Sequence, residues 1–242
     1  MALSGNPYLD FLATAGIDYA HPGGKLLTEA ILRDSGMKSG DRVLDIGCGT
    51  GATAALIAEK IAADVTAVDI HPEMIARASE RAATAAVPFT VCQGSAEKLP
   101  FAAGRFDWVL SESVTAFTDP CRSVSEYMRV LRPGRRLIAI EMTVERKPGK
   151  AEGRDIQAFY GVDDLYTEQD WLHIFTKAGF VHLNVTSASA YSVKADGGEF
   201  ALPAFQAVPG RQTFDVLLGH IQIMQAYKNM LSYRIYGGEK PV

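Results

Sequence analysis

Apolar and polar positions change period repeatedly along this 242-residue chain. Short apolar runs at 42–46, 65–68, 89–92, 106–110 and 136–140 read as buried strands. Helical spacing lies between them. Residues 52–62 are rich in alanine, leucine and isoleucine, and 72–86 open on Pro72, which suits a first helical turn. Asp119 is placed to cap a further helix whose Cys121, Val124, Met128 and Leu131 share one face, with Pro133–Gly134 as its stop. Earlier, the first regular helix is expected at 25–35. Later, 167–178 read as a helix capped by Thr167, 181–187 as a sixth strand, and 233–236 as a final edge strand. Phe214, Leu217, Leu218, Ile221, Met224, Tyr227 and Leu231 mark one face of a long helix, a stripe suited to core or dimer contact. Strands and helices alternating through short turns predict a parallel sheet covered on both faces.

Two stretches break this rhythm. Residues 1–24 precede the first helix and hold Tyr8, Phe11, Tyr19 and the turn His21-Pro22-Gly23. Residues 144–166 read as an irregular, mixed-charge cap insert containing Phe159 and Tyr160. A glycine- and proline-containing loop is expected at 190–212, so that 190–232 form a loop plus long helix before the last strand. The expected organisation is one domain over 1–242 with its ligand-binding core at 40–143.

Composition narrows the function. Hydrophobic residues are 48% and charged residues 21%, the balance of a folded chain with a sizeable core. Twenty-four Lys and Arg against 28 Asp and Glu give a net charge of −4, which does not attract phosphate backbones; no nucleic-acid partner is expected. No apolar run is long enough to span a bilayer, and the N-terminus lacks an export signal. Cys48, Cys92 and Cys121 are far apart and show neither metal-ligand spacing nor a disulfide framework, so a cytoplasmic protein without a metal is expected.

The sharpest chemical signal is Asp45-Ile-Gly47-Cys-Gly49-Thr-Gly51, between the first strand and its helix. Glycines permit a tight turn and close approach of a ligand, and the following helix presents free amides. Gly47-x-Gly49-x-x-Ala52 also fits a dinucleotide fingerprint. A carboxylate two residues before the first glycine repels a pyrophosphate but favours a cation, and this weighs toward S-adenosylmethionine, with its ammonium and sulfonium. Asp69 ends the second strand, where an acid can accept both hydroxyls of a ribose.

Residues 43–51 resemble the first motif of class I S-adenosylmethionine-dependent methyltransferases. The segments 68–70, 94–101, 106–110 and 130–134 follow in the family's order, and resemble the small-molecule, quinone-biosynthesis-like branch. The resemblance covers about 40–143, and it implies that residues 1–24 form a lid over the donor site. It implies an α/β, Rossmann-like, seven-stranded, mostly parallel sheet in the order 3-2-1-4-5-7-6, strand 7 antiparallel, with helices on both faces and a small helical cap. It further implies a donor site with Gly47 and Gly49 under the amino-acid part, Asp45 near the ammonium, and Cys48 and Gly51 in the same turn. Asp69 would hold the ribose, Ile70 and Met74 would lie against the adenine, Ser95 and Ala96 at its edge, and Ser111 below the methionine part. The family commonly has an acid where Ser95 stands.

The activity expected is methyl transfer to a small-molecule acceptor, releasing S-adenosylhomocysteine, with a homodimer possible. The alternatives are an RNA or protein methyltransferase and an NAD-dependent oxidoreductase. Glu112 and Thr115, after the fourth strand, and Glu141, ending the fifth, are candidate acceptor-site residues. Glu141 is expected at the cleft mouth, as a base, an amine ligand or an arginine's salt-bridge partner. His21, Tyr19, Phe159 and Tyr160 complete the candidates. Arg129, Arg132, Arg135 and Arg136 read as a solvated helix end.

Overall fold

The computed structural model describes residues 6–187 and 211–242. Its strands are β1 (Arg42–Ile46), β2 (Asp64–Asp69), β3 (Thr90–Gln93), β4 (Phe106–Glu112), β5 (Leu131–Val144), β6 (Val181–Ser187) and β7 (Leu231–Glu239). Its helices are α1 (Pro7–Ala15), α2 (Gly24–Ser35), α3 (Ala52–Ile61), α4 (Pro72–Thr84), α5 (Pro120–Val130), α6 (Lys150–Tyr160), α7 (Glu168–Lys177) and α8 (Arg211–Ala226). The strands form one sheet in the order β3-β2-β1-β4-β5-β7-β6. β7 runs antiparallel to both neighbours, and the other pairings are parallel. This is the order and polarity that the motif resemblance implied. Among the described residues no helix is long and apolar enough to cross a membrane.

Strand parity sorts the core, because successive side chains point to opposite faces. Val43, Leu110 and Ile138 pack with Leu27 and Ile31 of α2 and Ile57 of α3. Their neighbours Leu44, Val109, Leu137 and Ala139 pack with Tyr127 of α5 and Trp171 and Phe175 of α7. Both faces of the central strands are therefore covered, and polar residues on them are buried too. Two smaller clusters flank the sheet. One joins Val144, Ile156, Tyr160 and Leu231; the other joins Phe11, Ile17 and Leu217.

Several expectations need correcting. Residues 7–15, expected to precede the first regular helix, form α1. Asn6 caps it, its side chain accepting from the amides of Tyr8 and Leu9, and Pro7 sits in its first turn. The 144–166 insert contains α6, which buries Ile156 and Tyr160 one turn apart. α5 ends at Val130 and β5 begins at once, so Pro133–Gly134 lie within the strand. There Lys240 Nζ donates to the carbonyls of Met128 and Leu131, closing the helix end. β7 is interior and β6 takes the edge. The apolar stripe also splits: Leu217 is buried, Phe214, Leu218 and Ile221 are exposed, and Leu231 belongs to β7. Arg129 pairs with Glu126, Arg132 and Arg135 with Asp107, and Arg136 with Glu239; only Arg129 sits in a helix's last turn. The expected loop before α8 lies largely outside the described residues.

Candidate functional site

A cavity of about 240 Å³ opens at the carboxyl ends of β1, β2 and β4, the place where open α/β sheets bind ligands. Its floor is the turn 47–50. At Gly47 (φ 63°), a Cβ would stand 2.3 Å from Val114, so only glycine allows the turn to close against the segment after β4. Gly51 takes the left-handed conformation that begins α3 and lies behind the lining rather than in it.

Of the residues singled out for a donor, Asp45, Gly47, Cys48, Gly49, Asp69, Ile70, Met74, Ser95 and Ala96 all line the cavity. Asp69 is fixed there by two amides: Gly49 N donates to one oxygen at 2.9 Å and His71 N to the other at 2.8 Å. Burial pushes its carboxyl up, against the pull of those amides. Asp45 is almost wholly buried, and its Oδ2 has no hydrogen-bond partner among the described residues. Burial, then the nearby Glu112 and Asp69 carboxylates, raise it well above the usual range. Burial likewise raises the Cys48 thiol, which stays protonated and is no nucleophile. No Lys or Arg lines the cavity among the described residues.

Parity separates the acceptor candidates. Glu112 shares the α2–α3 face with Leu110 and reaches the cavity. Thr28 donates to its Oε1 at 2.8 Å and Thr53 to its Oε2 at 2.6 Å. His21 lies 3.5 Å from Oε2 and lines the cavity. Its Nδ1 faces the Pro22 carbonyl, and its Nε2 faces the Thr28 oxygen, whose proton goes to Glu112. The trio of His21, Thr28 and Glu112 ties the segment before α2 to the end of β4. Tyr19 also lines the cavity, donating to the Ala52 carbonyl.

Glu141 and Ser111 face the other way, toward α5. Glu141 is fully buried rather than at the cleft mouth, and among the described residues it has no arginine partner. It accepts from the Thr115 hydroxyl and amide, the Ala116 amide and Ser111. It thereby pins the single 3-10 turn Thr115–Phe117. Tyr160 and Phe159 lie outside the cavity as well. Tyr160 meets His220 at 3.1 Å and packs against Tyr8, which also stacks on Phe117.

The sequence reading missed Leu9, Leu12, Ile17, Ser113, Val114, Phe117 and Thr118, which complete one wall. It also missed Thr28 and Thr53. For these two a signal existed: each is a hydroxyl among the apolar positions of a sheet-facing helix.

A family model described as "Methyltransferase domain" matches residues 43–134. The uncharacterized methyltransferase YodH of Bacillus subtilis is 33% identical over 233 residues, 95% of this chain and 97% of that protein. A second relative, Rv1403c of Mycobacterium tuberculosis, is 38% identical over 137 residues; the chain spans half of that protein. Among solved structures, Haemonchus contortus phosphoethanolamine N-methyltransferase 2 with S-adenosyl-L-methionine gives a TM-score of 0.78 at 23% identity. It covers 98% of this chain, which spans 56% of that one. A geranyl diphosphate C-methyltransferase of Streptomyces coelicolor gives 0.69 at 15% identity, over 88% of this chain and 78% of its own. These structures share the fold, which is that of the class I methyltransferases. Through its near full-length likeness to YodH and its matched domain, the chain belongs to the S-adenosylmethionine-dependent methyltransferase family.

Proposed function

We propose that the cavity binds S-adenosylmethionine and that the protein transfers the donor's methyl group to a small, uncharged acceptor by in-line displacement. The observation that carries this reading is the buried Asp45 Oδ2, unpartnered among the described residues. Asp45 lines the cavity together with Asp69 and Glu112 and, among the described residues, no Lys or Arg does. Such a site is completed by a cation and is hostile to a pyrophosphate, which weighs against an NAD-dependent oxidoreductase.

In this reading Asp45 faces the donor's ammonium over Gly47 and Gly49, Asp69 holds the ribose, and Ile70, Met74, Ser95 and Ala96 enclose the adenine. Bound S-adenosylmethionine supplies a methyl group on a sulfonium, so that the acceptor's lone pair takes the methyl carbon while the C–S electron pair stays on sulfur. The chain's own work is alignment and exclusion of water. His21 and Glu112 act as positioning residues: their pairing, with Thr28 and Thr53, draws the segment 16–23 across the cavity. In the lid expected at 1–24, the described residues 6–24 also have a structural share, because Phe11 and Ala13 of α1 are buried. Residues 144–166 serve as the cap. Glu141 and Ser111 support the wall from behind.

Calorimetry tests the reading. S-adenosylhomocysteine is expected to bind the wild-type protein and NAD not to bind; preference for NAD would overturn the assignment. Asp45→Asn, which keeps the shape and removes the charge, is expected to weaken S-adenosylmethionine about tenfold, or ~1.4 kcal/mol. Unchanged affinity would remove Asp45 from the donor site.

A further inference from the structure

Ser113 stands one residue beyond β4, where the chain leaves the sheet at the cavity. Its φ is 59°, in the left-handed region that residues bearing a Cβ seldom adopt. Neighbouring groups impose that conformation. Glu112 is held by Thr28 and Thr53, the Ser113 amide donates to the Ile140 carbonyl at 2.7 Å, Val114 closes on Gly47, and Thr115 is held by Glu141. Glycine would meet this backbone demand with less strain. Instead the position carries a hydroxyl. That Oγ is buried, has no hydrogen-bond partner among the described residues, and belongs to a residue lining the cavity. A strained backbone and an unpaired buried hydroxyl are both unfavourable to the fold alone, and together at one cavity residue they point to a ligand.

The remaining polar groups of this wall are engaged. Glu112 has its threonines and His21, Tyr19 has the Ala52 carbonyl, and Thr118 has the Thr115 carbonyl. Leu9, Leu12, Ile17, Val114 and Phe117 make the rest of the wall apolar. Among the described residues no Lys or Arg stands in the lining to neutralise a phosphate or carboxylate on an acceptor.

Resting on the methyl-transfer reading, we propose that the Ser113 hydroxyl hydrogen-bonds the polar group of an uncharged acceptor. The acceptor's apolar body lies against Leu9, Leu12 and Phe117. Ser113 is thus a specificity-determining residue on the acceptor side, with no part in holding the donor.

The test uses phenol as probe and toluene as its counterpart without a hydroxyl. Each is titrated into wild-type, Ser113→Gly and Ser113→Ala proteins loaded with S-adenosylhomocysteine. All three proteins are expected to bind S-adenosylhomocysteine and toluene alike. Phenol is expected to bind the wild type at least about fivefold more tightly than either variant, a difference within the range of one hydrogen bond. Ser113→Gly, which suits the left-handed backbone, keeps or raises the melting temperature, so a loss of phenol binding there is not misfolding. Ser113→Asn, polar and tolerant of this φ, restores part of the affinity. Equal phenol affinity in all proteins, or none in the loaded wild type, overturns the proposal. Weakened S-adenosylhomocysteine binding in the variants also overturns it, by moving Ser113 to the donor side. Failure of the wild type to bind S-adenosylhomocysteine at all would instead bring down the methyl-transfer reading on which it stands.

Discussion

Replacing Asp69 with alanine is expected to raise the dissociation constant of S-adenosylhomocysteine by about 10- to 100-fold. The magnitude follows from what the carboxylate does on both sides. Toward the protein, it accepts the Gly49 amide at 2.9 Å and the His71 amide at 2.8 Å, joining the glycine turn to the start of α4. Toward the cavity, its remaining lone pairs are free for a ribose diol. Hydrogen bonds to a charged acceptor contribute roughly 1.5–3 kcal/mol, and an amide stripped of its buried partner costs about as much. The alanine variant loses the ribose contacts and also loosens the turn under the donor's amino-acid part. Asp69→Asn separates the two: one amide oxygen still accepts from Gly49, so a loss smaller than that of alanine is expected. Calorimetry at fixed pH and salt reads the affinities, and the melting temperature without ligand checks that the turn persists. Affinity within about twofold of wild type for the alanine variant would show that Asp69 does not hold the nucleoside.

The part of this site that was legible in the sequence is the part whose chemistry is local. The turn 45–51 declares itself because a strand, three glycines and a helix must be contiguous to form it. Asp69 does so because it ends the next strand. The helices α1 and α6 were not legible. α1 is short and apolar on most sides, and its place comes from contacts with α6 and α8, far away in sequence. α6 carries Gly153 and several charges, leaving Ile156 and Tyr160 as a sparse buried stripe. Glu141 was misplaced for another reason. An acid after the apolar run 137–140 reads as the point where a strand leaves the core. β5 continues to Val144 because β7 pairs with it along that length, and parity then buries Glu141 against α5. No local signal encodes such pairing. The left-handed Ser113 is likewise fixed by neighbours from β5 and the glycine turn, not by its own residue type.

The buried Glu141 carries the second large expectation, an unfolding free energy that depends on pH through this one group. Burial raises its carboxyl from 4.5 to about 7, although the amides of Thr115 and Ala116 and the hydroxyls of Thr115 and Ser111 oppose the change. A folded-state value above the unfolded one means that the folded protein holds this proton more tightly. The resulting stabilisation is complete below about pH 4.5 and is lost as pH rises through about 7, a difference of roughly 3 kcal/mol. His220 works against it over part of the same range. Burial lowers that imidazole to about 4, so the folded state resists its protonation and loses stability as pH falls below the ordinary value of 6.5. The two contributions partly cancel in the wild-type curve, so the informative quantity is a difference between proteins. Glu141→Gln keeps one oxygen to accept the Thr115 amide and hydroxyl, as Oε1 does, gives up the acceptor for the Ala116 amide and removes the titration, leaving His220, Asp45 and Asp69 as they are. Denaturant unfolding of both proteins between pH 5 and 8 is expected to show the wild type losing stability relative to the variant as pH rises, by about 2–3 kcal/mol across the window. Parallel curves would mean that Glu141 titrates alike in the folded and unfolded chains, and that the turn Thr115–Phe117 is held by something other than a reluctant carboxylate.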